Sequence, residues 1–216
     1  TYNNYGFGVL GMTLELAAGQ HLDQVMEEGF WSLMGIDAAF EGGMVADQTK
    51  LVPLVSYGGS AVHTVEDQRR QHRPASPGGH GTGFAGSLTI SAQDLAQMTA
   101  LLANDGRYEG LPLLSERAVE QMETRLGLVS SLGFYQCYPL RSQDGLYGRS
   151  TLCYHTGGAY GVLSILSYDP VARDGVVAVT IGARATKDDR GIAAVCGEIS
   201  QIVYQTIADT DQITDR

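Results

Sequence analysis

Two short groups of residues have the types and spacing to do chemistry together. The chain begins Thr1-Tyr2-Asn3-Asn4, which places a phenol and an amide two positions apart directly before an apolar segment. The second group is the stretch HTGGAYG, which begins at His155 and sets an imidazole and a hydroxyl beside two glycines. Glycines let a ligand approach the backbone closely, and preorganised N–H groups stabilise a developing oxyanion. The second group is therefore typical of a site that holds a carboxylate and acts on a carbonyl.

Apolar residues at helical spacing predict the elements of the first half of the chain. We expect a buried helix over residues 5–18, ended by Gly19, and a second core helix over residues 21–34. A third helix begins after Ser91, which with Asp94 has the spacing of a capping box, and ends at Gly106. A fourth begins at residue 115.

A polar segment separates these helices. After a strand-like run at residues 51–57 comes HTVEDQRRQHRPASPGGHGTG, whose Pro and Gly content predicts a long surface loop or lid. His63, His72 and His80 lie in or at the end of this loop, but their spacings of nine and eight match no helical ligand face. We therefore expect solvated histidines and no metal site.

The period changes to that of strands from about residue 133. Four runs, LGFYQCYPL, STLCYHT, YGVLSILSYD and GVVAVTIGA, predict an antiparallel meander, and a helix over residues 190–208 could cover one face of it. Helices followed by a sheet indicate an α+β fold. We expect a mainly helical lobe at residues 1–125 with a long loop around 58–90, and a sheet with a C-terminal helix at residues 126–216.

Composition limits the partners of the chain. The 216 residues carry 14 Lys and Arg against 24 Asp and Glu, a formal charge of −10, which repels nucleic acid and anionic lipid. No apolar run is long enough to span a membrane, and no leader-like segment is visible. We expect no cofactor.

The three cysteines lack the paired spacing of a zinc site. Cys137 and Cys153 lie in two strand-like runs on either side of a Gly-rich turn, where a cross-strand disulfide could form in an oxidising compartment. The alternative is a pair of small buried thiols.

The order of these features resembles one known family. Tyr-x-Asn at the start of a helix, then GFAGSLTISAQDLAQMTALLANDGRYEGLPLLSERAVEQM, then His-Thr-Gly-Gly between antiparallel strands, then GVVAVT and a terminal helix occur in that sequence. The chain resembles the C-terminal two thirds of the serine β-lactamase and penicillin-binding protein superfamily, in the branch of class C β-lactamases, D-Ala-D-Ala carboxypeptidases, D-aminopeptidases and esterases. The resemblance implies a β-lactamase/transpeptidase-like fold whose N-terminal part is missing.

The resemblance also implies roles for individual residues. Tyr2 would relay a proton, although an unperturbed phenol has a pKa of about 10 and needs flanking cations. Asn4 would orient the nucleophile and the substrate. His155 stands where many relatives have lysine, Thr156 would contact the substrate, and the Gly157-Gly158 pair would bring the N–H of Gly158 to the oxyanion. The loss of a permanent charge at 155 favours peptidase, esterase or acyl-transfer chemistry over carboxylate-bearing β-lactams.

The family's Ser-x-x-Lys motif is absent, because the residues three before Lys50 and Lys187 are Asp47 and Arg184. We expect the nucleophile on an absent or separate N-terminal segment, an inactive chain when alone, and a complement chain or self-association. The substrate would be a small peptide, ester or β-lactam-like molecule, and the resemblance suggests a periplasmic or secreted protein. Two alternatives remain, a non-catalytic module that keeps the substrate groove, and Thr1 as an N-terminal nucleophile.

Overall fold

The structure is a computed structural model in which residues 3–80 and 83–214 are described. The chain forms two compact units. One comprises residues 3–55, 60–80 and 83–94, and the other comprises residues 56–59 and 95–214. Among the described residues, no helix is long and apolar enough to cross a membrane.

The first unit is built from short helices and one small hairpin. The side chain of Asn3 accepts a hydrogen bond from the N–H of Tyr5 at 2.9 Å and so caps the first helix, which Gly19 ends with a left-handed φ of 68°. Its elements are α1 (Asn4–Ala18), α2 (Leu22–Met26), a π-helical turn (Glu27–Trp31), α3 (Ser32–Met34), β1 (Leu54–Val55), β2 (Ala61–His63) and α4 (Val65–Arg69).

The prediction that α1 is a buried helix is wrong for the described residues. Its buried positions are Gly8, Gly11 and Glu15, whereas most of its large apolar side chains are exposed, Leu16 to 67%. The close packing occurs on the glycine side, where a Cβ on Gly11 would lie 2.2 Å from the ring of Phe84. Helical periodicity reports which residues share a face and not which face finds a partner.

The second unit contains a six-stranded antiparallel meander, as the sequence predicts, with two more strands than the four runs suggest. The strands lie in the order β10-β9-β8-β7-β6-β5. They are β5 (Gly127–Val129), β6 (Phe134–Gln136), β7 (Arg141–Asp144), β8 (Thr151–Ala159), β9 (Val162–Asp169) and β10 (Asp174–Ile181). The runs missed are the short β5 and the wholly polar β7, which lack the alternation of a half-buried strand.

Helices cover both faces of this sheet. They are α5 (Ala92–Ala103), α6 (Glu116–Glu123) and α7 (Ala194–Thr214), and a two-stranded hairpin of β3 (Arg107–Tyr108) and β4 (Leu111–Pro112) lies between α5 and α6. Leu152 and Tyr154 pack with Cys196 and Tyr204 on the α7 face. Cys153 and Tyr168 pack with the end of α5 and with Met122 of α6 on the other face.

The helix signals of the second half are confirmed at their ends. The Ser91 hydroxyl accepts a hydrogen bond from the N–H of Asp94 at 3.0 Å, and Gly106 adopts a φ of 82° after α5. The apolar stripe predicted for α7 is only partly buried. Cys196 lies in the core, but Ile199 and Val203 are exposed, because the buried face passes through Ser200 and Tyr204.

Candidate functional site

The stretch His155 to Gly158 lies inside β8, and the hairpin turn comes later, at Tyr160-Gly161. β8 is longer than its neighbour β7. The pairing with β7 ends at Tyr154, whereas the pairing with β9 continues to Ala159. In the part of the chain that the structure describes, Thr156–Ala159 therefore pair on one side only. Successive residues of a strand direct their N–H and C=O groups to opposite sides, so this segment presents backbone donors and acceptors along an open edge.

The two polar side chains of this segment lie on opposite faces of the sheet. Thr156 continues the row of Leu152 and Tyr154, which face α7, and His155 continues the row of Cys153. Thr156 and His155 are therefore neighbours along the strand, but their side chains point to opposite faces of the sheet. A ligand on the α7 side of the edge meets the hydroxyl and not the imidazole.

Burial determines the charge of His155. Removal from water lowers the pKa of the imidazole below its ordinary value, and the positive charge of Arg141 lowers it further. The side chain is consequently neutral near pH 7. It does not replace the permanent cation that a lysine would supply at this position.

Neighbouring side chains leave no room for a side chain at Gly157 or Gly158. A Cβ on Gly157 would lie 2.3 Å from the hydroxyl oxygen of Ser164, its cross-strand partner. A Cβ on Gly158 would lie 2.8 Å from the Nζ atom of Lys187. The first contact is on the His155 face and the second on the Thr156 face, because the two residues are consecutive in the strand.

Arg141 is a residue of this site that the sequence did not single out. It is the first residue of β7, directly opposite Tyr154, and its guanidinium donates a hydrogen bond to the carbonyl of Arg190. A Cβ on Gly191 would lie 3.3 Å from Arg141 Nη1 and 4.0 Å from Thr156 Oγ1. Only the folded register places this cation near Thr156, which is 15 residues away in the sequence.

The two remaining predicted catalytic residues, Tyr2 and Asn4, belong to the N-terminal end of the chain. Tyr2 lies outside the described residues. Asn4 is the first residue of α1 and belongs to the first unit, where its neighbour Asn3 provides the helix cap. The roles assigned to both residues stay predictions.

Cys137 and Cys153 are free, buried thiols that share one apolar cluster with Tyr168. The disulfide that the sequence allows is not formed in this structure. Burial raises the pKa of the Cys153 thiol to about 12 and also raises the pKa of Cys137. Neither thiol is poised as a nucleophile, since the thiolate is the reactive form.

The loop predicted to be a solvated lid is instead attached by buried acids in the first unit. Glu15 of α1 accepts the N–H of Gly78 at 2.7 Å, and Asp23 of α2 accepts two hydrogen bonds from Arg73 Nε at 2.8 and 2.9 Å. Further along, His80 Nε2 lies 2.6 Å from an oxygen of Glu41. His80 is therefore largely buried and paired, whereas His72 is exposed as expected. Acids within helical patterns carry no sequence signal for such distant partners.

A separate groove of about 630 Å³ lies in the second unit between α7 and the turn that follows β7. Tyr147 and Tyr204, whose rings stack with their centroids 6.1 Å apart, line it together with Arg149 and Arg190. Thr156, Gly157 and Gly158 are not among its lining residues. The residues predicted to bind the substrate therefore lie along the open edge and not in this groove.

Solved structures provide the comparison for this arrangement. A β-lactamase from Sulfitobacter sp. EE-36 is similar over 97% of this chain, with 14% identity and a TM-score of 0.66. A D-alanine carboxypeptidase from Burkholderia cenocepacia is similar over 92%, with 18% identity and a TM-score of 0.61. A β-lactamase/D-alanine carboxypeptidase from Pseudomonas syringae is similar over 83%, with 16% identity and a TM-score of 0.61. The chain has the β-lactamase fold.

The likeness is one of fold at low sequence identity. No protein-family model matches the chain, and no curated protein is significantly similar to it. This chain spans 60%, 60% and 53% of the three solved structures, in the order in which they are given above. The α+β fold predicted from the sequence is confirmed as a β-lactamase-like arrangement, while its chemistry has to be argued from its own residues.

Proposed function

We propose that this chain is the C-terminal portion of an acyl-serine hydrolase or acyltransferase of the β-lactamase, D-peptidase or esterase type, acting on amide or ester bonds. The observation that carries the proposal is the open edge of β8 at Thr156–Ala159 within a β-lactamase fold. An extended substrate can add to such an edge through main-chain hydrogen bonds. The Thr156 hydroxyl and the N–H of Gly158 would then lie beside its scissile carbonyl.

The proposed reaction uses these groups together with a nucleophilic serine. This chain contains no Ser-x-x-Lys motif that could supply that serine. The serine oxygen attacks the carbonyl carbon, and negative charge gathers on the carbonyl oxygen, where the Gly158 N–H stabilises it. We assign to Tyr2 the relay of the proton from the serine hydroxyl to the leaving amine or alcohol, whose bond to the carbonyl carbon then breaks, and to Asn4 the orientation of the substrate. Water or another acceptor then releases the acyl group.

The nucleophile would come from an N-terminal complement, either a further segment of a longer protein or a separate chain. Exposed apolar surface in each unit supports this proposal, on α1 at Leu10 and Leu14 and on α7 at Ile199, Ile202 and Val203. This chain covers 60% of two of the compared structures, so about two fifths of each of them lies outside the similarity. We also propose that the protein is periplasmic or secreted, because the chain resembles the serine β-lactamase and penicillin-binding protein superfamily.

Intact-mass measurement and a binding titration with benzylpenicillin test the proposal. The 216-residue chain should gain no covalent mass and should bind the ligand reversibly. Thr156→Val, which keeps the shape and removes the hydroxyl, should weaken binding about fivefold to tenfold, the value of one lost hydrogen bond. Thr124→Val at the end of α6 is the matched control and should bind as the parent does.

Each other outcome has a defined meaning. Stoichiometric acylation of the chain alone contradicts the missing nucleophile, and loss of that acylation in Thr1→Ala would identify Thr1 as the nucleophile instead. Absence of any binding rejects the substrate edge. Reversible binding together with an upstream natural sequence that lacks Ser-x-x-Lys would favour the non-catalytic binding module.

A further inference from the structure

The groove between α7 and the turn that follows β7 is lined largely by polar side chains. Its volume of about 630 Å³ lies within the range of small-molecule sites. Gln143 of β7 and Gln201 and Gln205 of α7 contribute three amide side chains to the lining. Because residues four apart on a helix are neighbours, the two glutamines of α7 lie on one face of it.

Several polar groups of this lining lack a partner in the part of the chain that the structure describes. The Oε1 atom of Gln143 and the hydroxyl of Tyr147 are buried without a hydrogen bond. Gln201 and Gln205 are exposed, and no hydrogen bond to another described residue holds their side chains. Buried polar atoms normally have a partner in the protein or in a bound molecule. Since each amide both donates and accepts, the groove offers hydrogen bonds of both kinds to a ligand.

The arginines of the groove are already neutralised. Arg149 lies between Asp169 and Asp174, and Arg190 is paired with Asp188 at 2.5 Å. Three carboxylates therefore surround two guanidinium groups, in a chain whose formal charge is −10. Tight binding of a phosphate or carboxylate depends on a cation that is free to pair with it. The charges thus favour a neutral ligand over an anion.

The backbone of the turn is strained where it contributes an aromatic ring. Tyr147 has a φ of 51°, between Gly145 and Gly148 with φ values of 73° and 78°. A residue other than glycine rarely adopts this conformation, and such strain is concentrated at ligand-binding sites. The ring of Tyr147 stacks on Tyr204 and is only partly buried, so part of its surface lines the groove.

We propose that this groove binds a neutral saccharide of about disaccharide size. Sugar hydroxyls both donate and accept hydrogen bonds, as the glutamine amides do, and the apolar face of a sugar ring can lie on the exposed part of Tyr147. A peptide fits less well, because peptide recognition relies on pockets for side chains, and the leucine of the lining, Leu146, is itself only 5% exposed.

The binding of neutral disaccharides to the 216-residue chain tests the proposal. The isotope-labelled chain is titrated with maltose, cellobiose, lactose and N,N′-diacetylchitobiose, and its amide signals are followed by NMR. We expect at least one sugar to bind with a dissociation constant of about 1 mM, since a few net-weak hydrogen bonds must offset the cost of association. The signals that move should be those of residues 145–149 and 201–208, which line the groove.

Variants of α7 assign the binding to the groove. Gln201→Ala and Gln205→Ala should each weaken it about fivefold to tenfold, the value of one lost hydrogen bond. Ala208→Phe should abolish it, because Ala208 lines the groove and the larger ring fills it. Gln121→Ala is the matched control, an exposed glutamine of α6 outside the lining, and should bind as the parent does. Thermal unfolding checks that each variant is folded.

Four results would overturn the proposal. The first is the absence of shifts with every sugar of the panel, and the second is a set of shifts confined to residues 155–159, which would place the sugar at the open edge. The third is an equal loss of binding in Gln121→Ala. The fourth is a stronger response of the same signals to inorganic phosphate, which would make the groove an anion site. The benzylpenicillin titration reports on the open edge alone, so its failure rejects the proposed function and leaves this site in place.

Discussion

Replacing Arg149 with methionine should destabilise the second unit strongly. The guanidinium bridges two acids, with Nε 3.3 Å from Asp169 and Nη2 2.5 Å from Asp174, and it lies 5.6 Å from the ring centre of Tyr204. Only 11% of the arginine side chain and 3% of the Asp169 side chain is exposed. Arg149→Met keeps most of the volume and leaves both carboxylates without their cation.

The magnitude follows from this burial. Removing one partner of a buried ion pair costs about 3–5 kcal/mol, because the remaining charge is desolvated without compensation. For a chain of this size each kcal/mol lowers the Tm by about 2–4 °C, so Arg149→Met should lower it by about 6–20 °C. Thermal and urea unfolding, followed by circular dichroism, measure both quantities.

An exposed ion pair in the same unit is the matched control. Arg173 contacts Asp105 at 2.7 Å, but their side chains are 57% and 41% exposed, so Arg173→Met should cost no more than about 1 kcal/mol. Adding Asp169→Asn and Asp174→Asn to Arg149→Met should recover part of the loss. Equal, small losses for the two arginine variants would refute the reasoning that burial makes the Arg149 network strong.

Three further predictions follow from pKa shifts. Burial raises the pKa of the Cys153 thiol to about 12 and also raises the pKa values of Cys137 and Cys196. A chromogenic disulfide reagent should therefore leave the native thiols unmodified at about pH 8 and react with all three after unfolding. Immediate reaction of the native chain would contradict this prediction. Burial likewise raises the pKa of Tyr154 to about 12 and moves those of Tyr168 and Tyr204 above the ordinary value. Just above pH ~10 the unfolded chain loses these phenol protons and the folded chain does not, so the urea concentration at the unfolding midpoint should decrease as the pH rises from about 9 to 11. A midpoint that stays constant over this range would contradict the raised tyrosine pKa values. Burial lowers the pKa of the His155 imidazole, so an NMR titration of its ring should give a midpoint below about 6.5. As the pH falls the unfolded chain takes up this proton first, and the folded state therefore loses stability. A titration midpoint above that value would disprove the neutral imidazole.

Local signals predicted much of the second unit. The Ser91 cap, the Gly106 helix end and the three long strands depend on neighbours within a few residues, which a single sequence contains. The division predicted between residues 125 and 126 stays a prediction, as do the roles of Tyr2 and Asn4.

The missed features all depend on distant partners. The exposure of the apolar side chains of α1 cannot be inferred from their periodicity. Glu15 meets Gly78 across 63 residues, and Lys187 meets Gly158 across 29, so neither contact has a local pattern. The polar β7 was missed because its strand state comes from pairing with β6 and β8 and not from alternation.

The attachment of the Arg73–His80 segment bears on how this protein could be engineered. A stretch rich in proline, glycine and serine usually accepts foreign peptides and is readily cut by proteases. Here Asp23, Glu15 and Glu41 hold three of its positions, so a peptide inserted between residues 73 and 80 should disturb helices α1 and α2 as well. Trypsin should cut after the exposed Arg69 and Arg70, which lie just before this attached segment.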